Sequence, residues 1–157
     1  MSRFAEGTSV PADRSRGEIE RTLARYGATG FMYGWDDTGA VVGFRSNERL
    51  IRFRLSMPDR RDPQFTMTPS GSRERSPAQA EAAWEAATRQ MWRALLLVVK
   101  AKLEAIDAGI STFEQEFLAF ITLPDGSTMG EWAAPQIEKA YATAKMPALL
   151  PGGSSGS

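Results

Sequence analysis

The stretch from Ser76 to Gly109 constrains the fold more than any other part of this chain. Ser76 can cap a helix, Pro77 suits the first helical position, and Gln79 stands three residues after the cap. From there the pattern stays helical to about Ala108, where Gly109 stops it. A helix of ~31 residues is roughly 46 Å long. Ala80, Trp84, Ala87, Met91, Leu95, Val98, Val99, the stem of Lys102 and Ile106 follow a helical period. Trp92, Leu96 and Leu103 widen the stripe, so its centre is expected to be buried on more than one side. A typical strand spans only ~17–20 Å. The excess length therefore predicts either an oligomer or cover from the shorter helices that follow.

The rest of the chain reads as an α+β domain over residues 1–151. Residues 1–10 show no periodicity and are expected to fray. A first helix is predicted at about 12–26, with Ser15 and Glu18 at capping-box spacing, Ile19, Leu23 and Tyr26 on one face, and Gly27 as its stop. Three β runs follow: Phe31–Trp35, Ala40–Arg45 and Arg49–Met57. Turn chemistry at Asp36–Gly39 and at Ser46-Asn47-Glu48 joins them into a three-stranded antiparallel meander. Pro58 to Ser76, with Pro63, Pro69 and Gly71, reads as a long irregular loop, either functional or disordered. A short element is predicted at about Thr112–Ile121, started by Ser111 and Glu114, then a turn at Pro124-Asp125-Gly126. A last helix at about 129–144 starts from Thr128 and Glu131 and carries Trp132, Ile137 and Tyr141. Met146–Pro151 is an apolar tail, and Gly152–Ser157 (GGSSGS) has the composition of an engineered linker.

The turns also fix faces. A hairpin turning on Asn47-Glu48 sets Phe44 opposite Ile51, Val42 opposite Phe53, Gly43 opposite Arg52 and Val41 opposite Arg54. A hairpin closing Trp35 on Ala40 sets Tyr33 opposite Val42 and Phe31 opposite Phe44. Both registers place Phe31, Tyr33, Trp35, Val42, Phe44, Ile51, Phe53 and Leu55 on one face, the expected core side. Met32, Gly34, Val41, Gly43, Arg45, Leu50, Arg52 and Arg54 share the other. A slip of one residue would exchange the two faces.

The chain contains no histidine and no cysteine. That removes Ser-His-Asp and Cys-His nucleophiles, Cys/His zinc sites and disulfides. No GxxxxGK[ST] or GxGxxG phosphate loop occurs. Asp36-Asp37 and Pro58-Asp59-Arg-Arg-Asp62 offer carboxylates, yet both sit in turn-like sequence and read as turns rather than metal sites. Lys100 and Lys102, beside Glu104, read as a solvated face. No metal, cofactor or catalytic residue is expected, and the chain reads as non-enzymatic. Ala94–Val99 is the longest apolar run, far below the ~20 residues of a membrane span, and Ser2–Arg16 lacks signal-peptide character. The expected setting is cytoplasmic.

Charge is balanced overall, 19 cations against 19 acids, but it is not evenly distributed. Between Arg45 and Arg75 stand eight arginines, Arg45, Arg49, Arg52, Arg54, Arg60, Arg61, Arg73 and Arg75, against four acids. From Ser76 onward there are six cations and nine acids. Guanidinium forks suit phosphate recognition. A sheet face carrying Arg45, Arg52 and Arg54 around glycines, continued by loop arginines, is a candidate phosphate-tracking surface.

Two resemblances add to this reading. Gly30 to Pro151, especially GFMYGWDD at 30–37, Arg89-Gln-x-Trp-Arg93, Lys100-Ala-Lys-Leu-Glu104 and Met146-Pro-Ala-Leu-Leu-Pro151, resembles small proteins encoded by bacteriophages and prophages. That resemblance implies an accessory role in phage DNA metabolism or in countering host defence, in the host cytoplasm. In topology alone, a helix, a β-meander and a long helix are similar to the core of Rad52-type single-strand annealing proteins, which bind DNA and assemble into rings or filaments. That likeness implies nucleic acid, with single-stranded DNA as one candidate, and a homo-oligomer; it transfers no site residues. The expected function is nucleic-acid binding through the eight arginines. The alternative is an anti-defence protein that binds a small nucleotide signal or a host protein.

Overall fold

A computed structural model of the chain describes residues 3–36 and 39–146, with side chains from residue 13 onward. Asp37, most of the apolar tail and the GGSSGS segment lie outside the described residues. The elements are helix α1 (Arg3–Arg25), strands β1 (Thr29–Asp36), β2 (Gly39–Ser46) and β3 (Arg49–Ser56), and a one-turn helix α2 (Pro63–Thr66). The long helix α3 (Pro77–Asp107), a short α4 (Phe113–Phe117) that runs into a 3-10 turn at Leu118–Phe120, and α5 (Met129–Thr143) complete the fold. The architecture is α+β, as expected.

The strands form one antiparallel sheet in the order β1-β2-β3. Between β2 and β3 the register is the predicted one, with Phe44 on Ile51, Val42 on Phe53, Gly43 on Arg52 and Val41 on Arg54. Asn47 and Glu48 both take positive φ, 50° and 60°. Such a two-residue turn matches the twist of the strands it joins. In the first hairpin Trp35 pairs with Ala40 and Tyr33 with Val42, as expected. The predicted pairing of Phe31 with Phe44 is absent. An irregularity between Thr29 and Met32 breaks the ladder there, with Thr29 opposite Arg45; bulges of this kind gather at sheet edges.

The inner sheet face packs on α3. Val42, Phe44, Ile51 and Phe53 share one buried cluster with Trp92, Leu95, Leu96, Val99 and Leu103 of α3, Ile19 and Leu23 of α1, and Phe117 of α4. Trp92, Phe44 and Phe117 are the largest fully buried side chains. The rings interlock: Phe117 meets Phe44 edge-on at 5.8 Å, and Tyr33 lies 5.4 Å from Trp92. Leu97 and Val98 face outward, and Trp35, at the end of its strand, is partly exposed.

Ser76 caps α3 through the Gln79 amide, and Gln79 returns a side-chain bond to the Ser76 amide. The length of α3 is covered within the chain. α1 packs along it, α2 and its loop cover the N-terminal turns, and α4 covers the C-terminal part. Helix length therefore does not itself call for an oligomer.

Four other details differ from expectation. α1 begins at Arg3 rather than near residue 12, so Pro11 lies inside it. Tyr26 lies beyond the end of α1 and is exposed. The cap of α4 is Thr112 with Gln115, one residue later than the Ser111–Glu114 spacing suggested. Two boxes at adjacent offsets are both legal in sequence, and packing of Phe113 and Phe117 on the core selects the second. α5 starts from Thr128 and Glu131 as predicted but buries no residue. Before it, the Thr122 amide donates to the Leu50 carbonyl at 2.8 Å, which covers part of β3's outer edge.

Glycine at two sheet positions provides a matched test. A Cβ at Gly39 would overlap the Leu55 carbonyl oxygen, whereas one at Gly34 meets nothing within 4 Å. Gly39→Ala should cost about 1–3 kcal/mol, as overpacking does, and Gly34→Ala should be tolerated. Urea denaturation of the two variants checks this.

Candidate nucleic-acid interface

The eight arginines divide into groups with different surroundings. The confirmed register places Arg45, Arg52 and Arg54 on the outward face of the sheet, with Met32 exposed beside them. Arg45 is exposed, makes no ion pair among the described residues, and lays its stem over Gly30, where a Cβ would stand 3.5 Å from Cδ. Gly30 itself has φ +62°, a left-handed conformation that favours glycine. Arg54 lies 3.8 Å from the Asp36 carboxylate. Asp36 in turn accepts from the Gly39 amide at 3.0 Å, a contact of the hairpin turn.

Arg52 is held more firmly. One Nη donates to the Gly126 carbonyl at 2.8 Å, the other to Glu131 at 3.0 Å. Glu131 also closes the α5 capping box on the Thr128 amide. Arg52 thus ties β3 to the C-terminal helix, and its guanidinium is fixed rather than sweeping through solvent. Arg49, at the hairpin end, pairs with Glu114 at 3.2 Å.

The loop does not extend this face. Residues 58–75 fold back onto α3 through α2, and Phe65 and Trp84 are buried there outside the main core cluster. The Trp84 indole donates to the Pro58 carbonyl at 2.7 Å. Arg60 lies over the Trp84 ring, 3.8 Å from its centroid, and pairs with Glu81. Arg75 donates to the Gln64 and Phe65 carbonyls at 3.2 and 3.1 Å. Asp62 caps α2 through the Gln64 amide, and Asp59 accepts from the Arg61 amide at 2.9 Å. Arg60 and Arg75 therefore work inside the loop. Arg61 and Arg73 are exposed, Arg61 with Asp59 at 4.0 Å. What the sequence presented as one arginine run becomes a sheet-face trio, a hairpin-end residue and a docked loop.

Sequence reasoning missed a second cationic surface. α1 and α3 pack side by side, and between them runs a groove of about 700 Å³ lined by Arg14, Glu18, Arg89, Arg93, Leu97 and Lys100. A further hollow of about 410 Å³ shares Lys100 and reaches Arg25, Tyr26 and Glu104. These cations are far apart in sequence, so no local count gathers them. Lys100 is not a merely solvated charge, since its ammonium meets Glu18 at 2.7 Å. Hydrogen bonding and charge from Lys100, then charge from Arg21 and Arg14, hold the Glu18 carboxyl below its ordinary range. Lys102 turns inward and donates to the Glu116 carbonyl at 2.7 Å.

Among the described residues no group of acids or other ligands could hold a metal ion, and no helix is long and apolar enough to cross a membrane. No family model, curated protein or solved structure matches the chain.

The Arg60–Trp84 contact should govern loop opening. A cation over a ring is worth about 1 kcal/mol at an exposed site and about 2 kcal/mol where the ring is desolvated, as Trp84 is, so Arg60→Ala should raise the open population of the loop at least about fivefold. Trypsin cleavage after Arg73, timed under conditions where the core stays folded, reads this directly.

Proposed function

We propose that this chain is a non-enzymatic nucleic-acid-binding protein whose outward sheet face meets the phosphate backbone through Arg45, Arg52 and Arg54. The observation that carries this reading is the β2–β3 register, which sets the three guanidiniums on one side of two adjacent strands. The carboxylates beside them, Asp36 and Glu131, are themselves exposed. Exposed pairs contribute only about 0–1 kcal/mol, so a phosphate can replace them at little cost. Arg52, held by Gly126 and Glu131, supplies a fixed point between Arg45 and Arg54. Arg49 adds a fourth guanidinium at the hairpin end.

The resemblance to phage-encoded proteins supports an accessory role in phage DNA metabolism within the host cell. Self-association, if it accompanies binding, would use α5, where Trp132, Ile137 and Tyr141 are exposed. Light scattering on the eluting protein tests that part: a dimer or larger species dissociated by Ile137→Glu is expected, and a monomer refutes it.

Binding should be strongly salt-dependent. Three phosphate contacts on duplex DNA give a log–log slope near −2.7, so raising salt from about 50 to about 200 mM should weaken binding about 40-fold. Arg45→Ala with Arg54→Ala should flatten that slope by about 2. Fluorescence anisotropy with labelled single- and double-stranded oligonucleotides measures both. Absence of binding to either at low salt, or an unchanged slope in the double variant, ends the reading.

A further inference from the structure

We propose that the groove between α1 and α3 is a separate site for a compact phosphorylated ligand, a nucleotide carrying two or more phosphates, gripped by Arg14, Arg89 and Arg93.

Three observations carry this. The first is unspent charge. Arg14, Arg89 and Arg93 are exposed and make no ion pair among the described residues, unlike most of the sheet and loop arginines. Arg89 and Arg93 are one helical turn apart, about 6 Å along the axis, and Arg14 faces them from α1. Two converging helices thus aim three forks at one volume, and bidentate forks of this kind bind phosphate oxygens tightly.

The second is the limit on that charge. Within the groove Lys100 is occupied by Glu18, and the adjoining hollow balances Arg25 with Glu104. A long polyanion following the groove would run past both carboxylates. The excess of cations over acids is largest around Arg14, Arg89 and Arg93, which suits a short phosphate chain rather than a polymer.

The third is shape and chemistry. The groove's volume of about 700 Å³ lies within the range of small-molecule sites. Ala86, Leu96 and Leu97 give it an apolar wall, and Leu97 is 57 % exposed in the middle of a helix. A phosphate clamp beside an apolar wall fits a charged tail joined to a flat, weakly polar ring.

This site stands apart from the sheet face, and the test separates them. Full-length protein is titrated calorimetrically at low salt with ATP, with tripolyphosphate, with adenosine and with a single-stranded oligonucleotide. Saturable one-to-one binding of ATP is expected, with weaker binding of tripolyphosphate and none of adenosine. Arg89→Ala with Arg93→Ala should weaken ATP at least tenfold, while Arg45→Ala with Arg54→Ala leaves it unchanged. Leu97→Glu should lower ATP affinity more than tripolyphosphate affinity, a difference that general loss of charge would not give. Because these side chains are exposed, their substitution should leave thermal unfolding nearly as it was, which a melt confirms for each variant. Absence of saturable ATP binding overturns the proposal, and so does equal loss in the sheet-face variant. An oligonucleotide that binds the groove while ATP does not also overturns it, and would transfer the groove to the polymer-binding surface.

Discussion

A three-stranded sheet has two edges and two faces, and on its own it is at best marginally stable in water. Here α1, α3 and α4 are placed by how the inner face is covered. Trp92 sits at the centre, with Tyr33 tilted against it and Phe44, Phe53 and Phe117 forming an interlocked set of rings nearby. Phe120 closes on Phe53 at 4.4 Å, which brings the chain after α4 back to β3. That return lets Ile121 bridge Ile51 and shields the β3 edge. Full burial of aromatic side chains is worth about 1.5–3 kcal/mol each, so this seam outweighs any single surface contact in the molecule.

The committed inner face determines where charge can go. The strand cations Arg45, Arg52 and Arg54 point outward, and of the α3 cations Arg89, Arg93 and Lys100 line the groove beside α1 while Lys102 turns toward α4. On the sheet side, arginine often serves as a tether: Arg52 to α5, Arg49 to α4, Arg60 and Arg75 within the loop. These contacts position the C-terminal segment and the 58–75 loop on the core. On the helix side the arrangement leaves Arg14, Arg89 and Arg93 facing a hollow. A chain with zero net charge thus carries two cationic surfaces on different sides of its helical layer.

The sheet was readable because its signals are local. Asn47-Glu48 defines a two-residue turn, the turn defines the register, and the register sends alternate residues to opposite faces. The same logic failed at Phe31, where the edge strand's irregularity shifts the pairing, since nothing in the local pattern marks it. Ser76-Pro77 and Gly109 bound α3 for the same local reason. The N-terminal extension of α1 was not legible, because residues 3–10 lack the apolar period that the reading relied on. Of the candidate site, the outward position of Arg45, Arg52 and Arg54 was legible. The inward duties of Arg60 and Arg75 were not, because they depend on a Trp and a pair of carbonyls brought up by the fold.

The sequence alone determined the α+β class, the β2–β3 register, the long capped helix and the absence of histidine and cysteine chemistry, because each rests on neighbours within a few residues. Tertiary structure alone decided which arginines are tethered and which stand unpaired among the described residues, since the tethering partners lie 10 to 79 residues away and meet only when the loop and the C-terminal segment close on the sheet and α3. Coulombic pairing acts through space, and no reading along the chain can supply the distances it depends on.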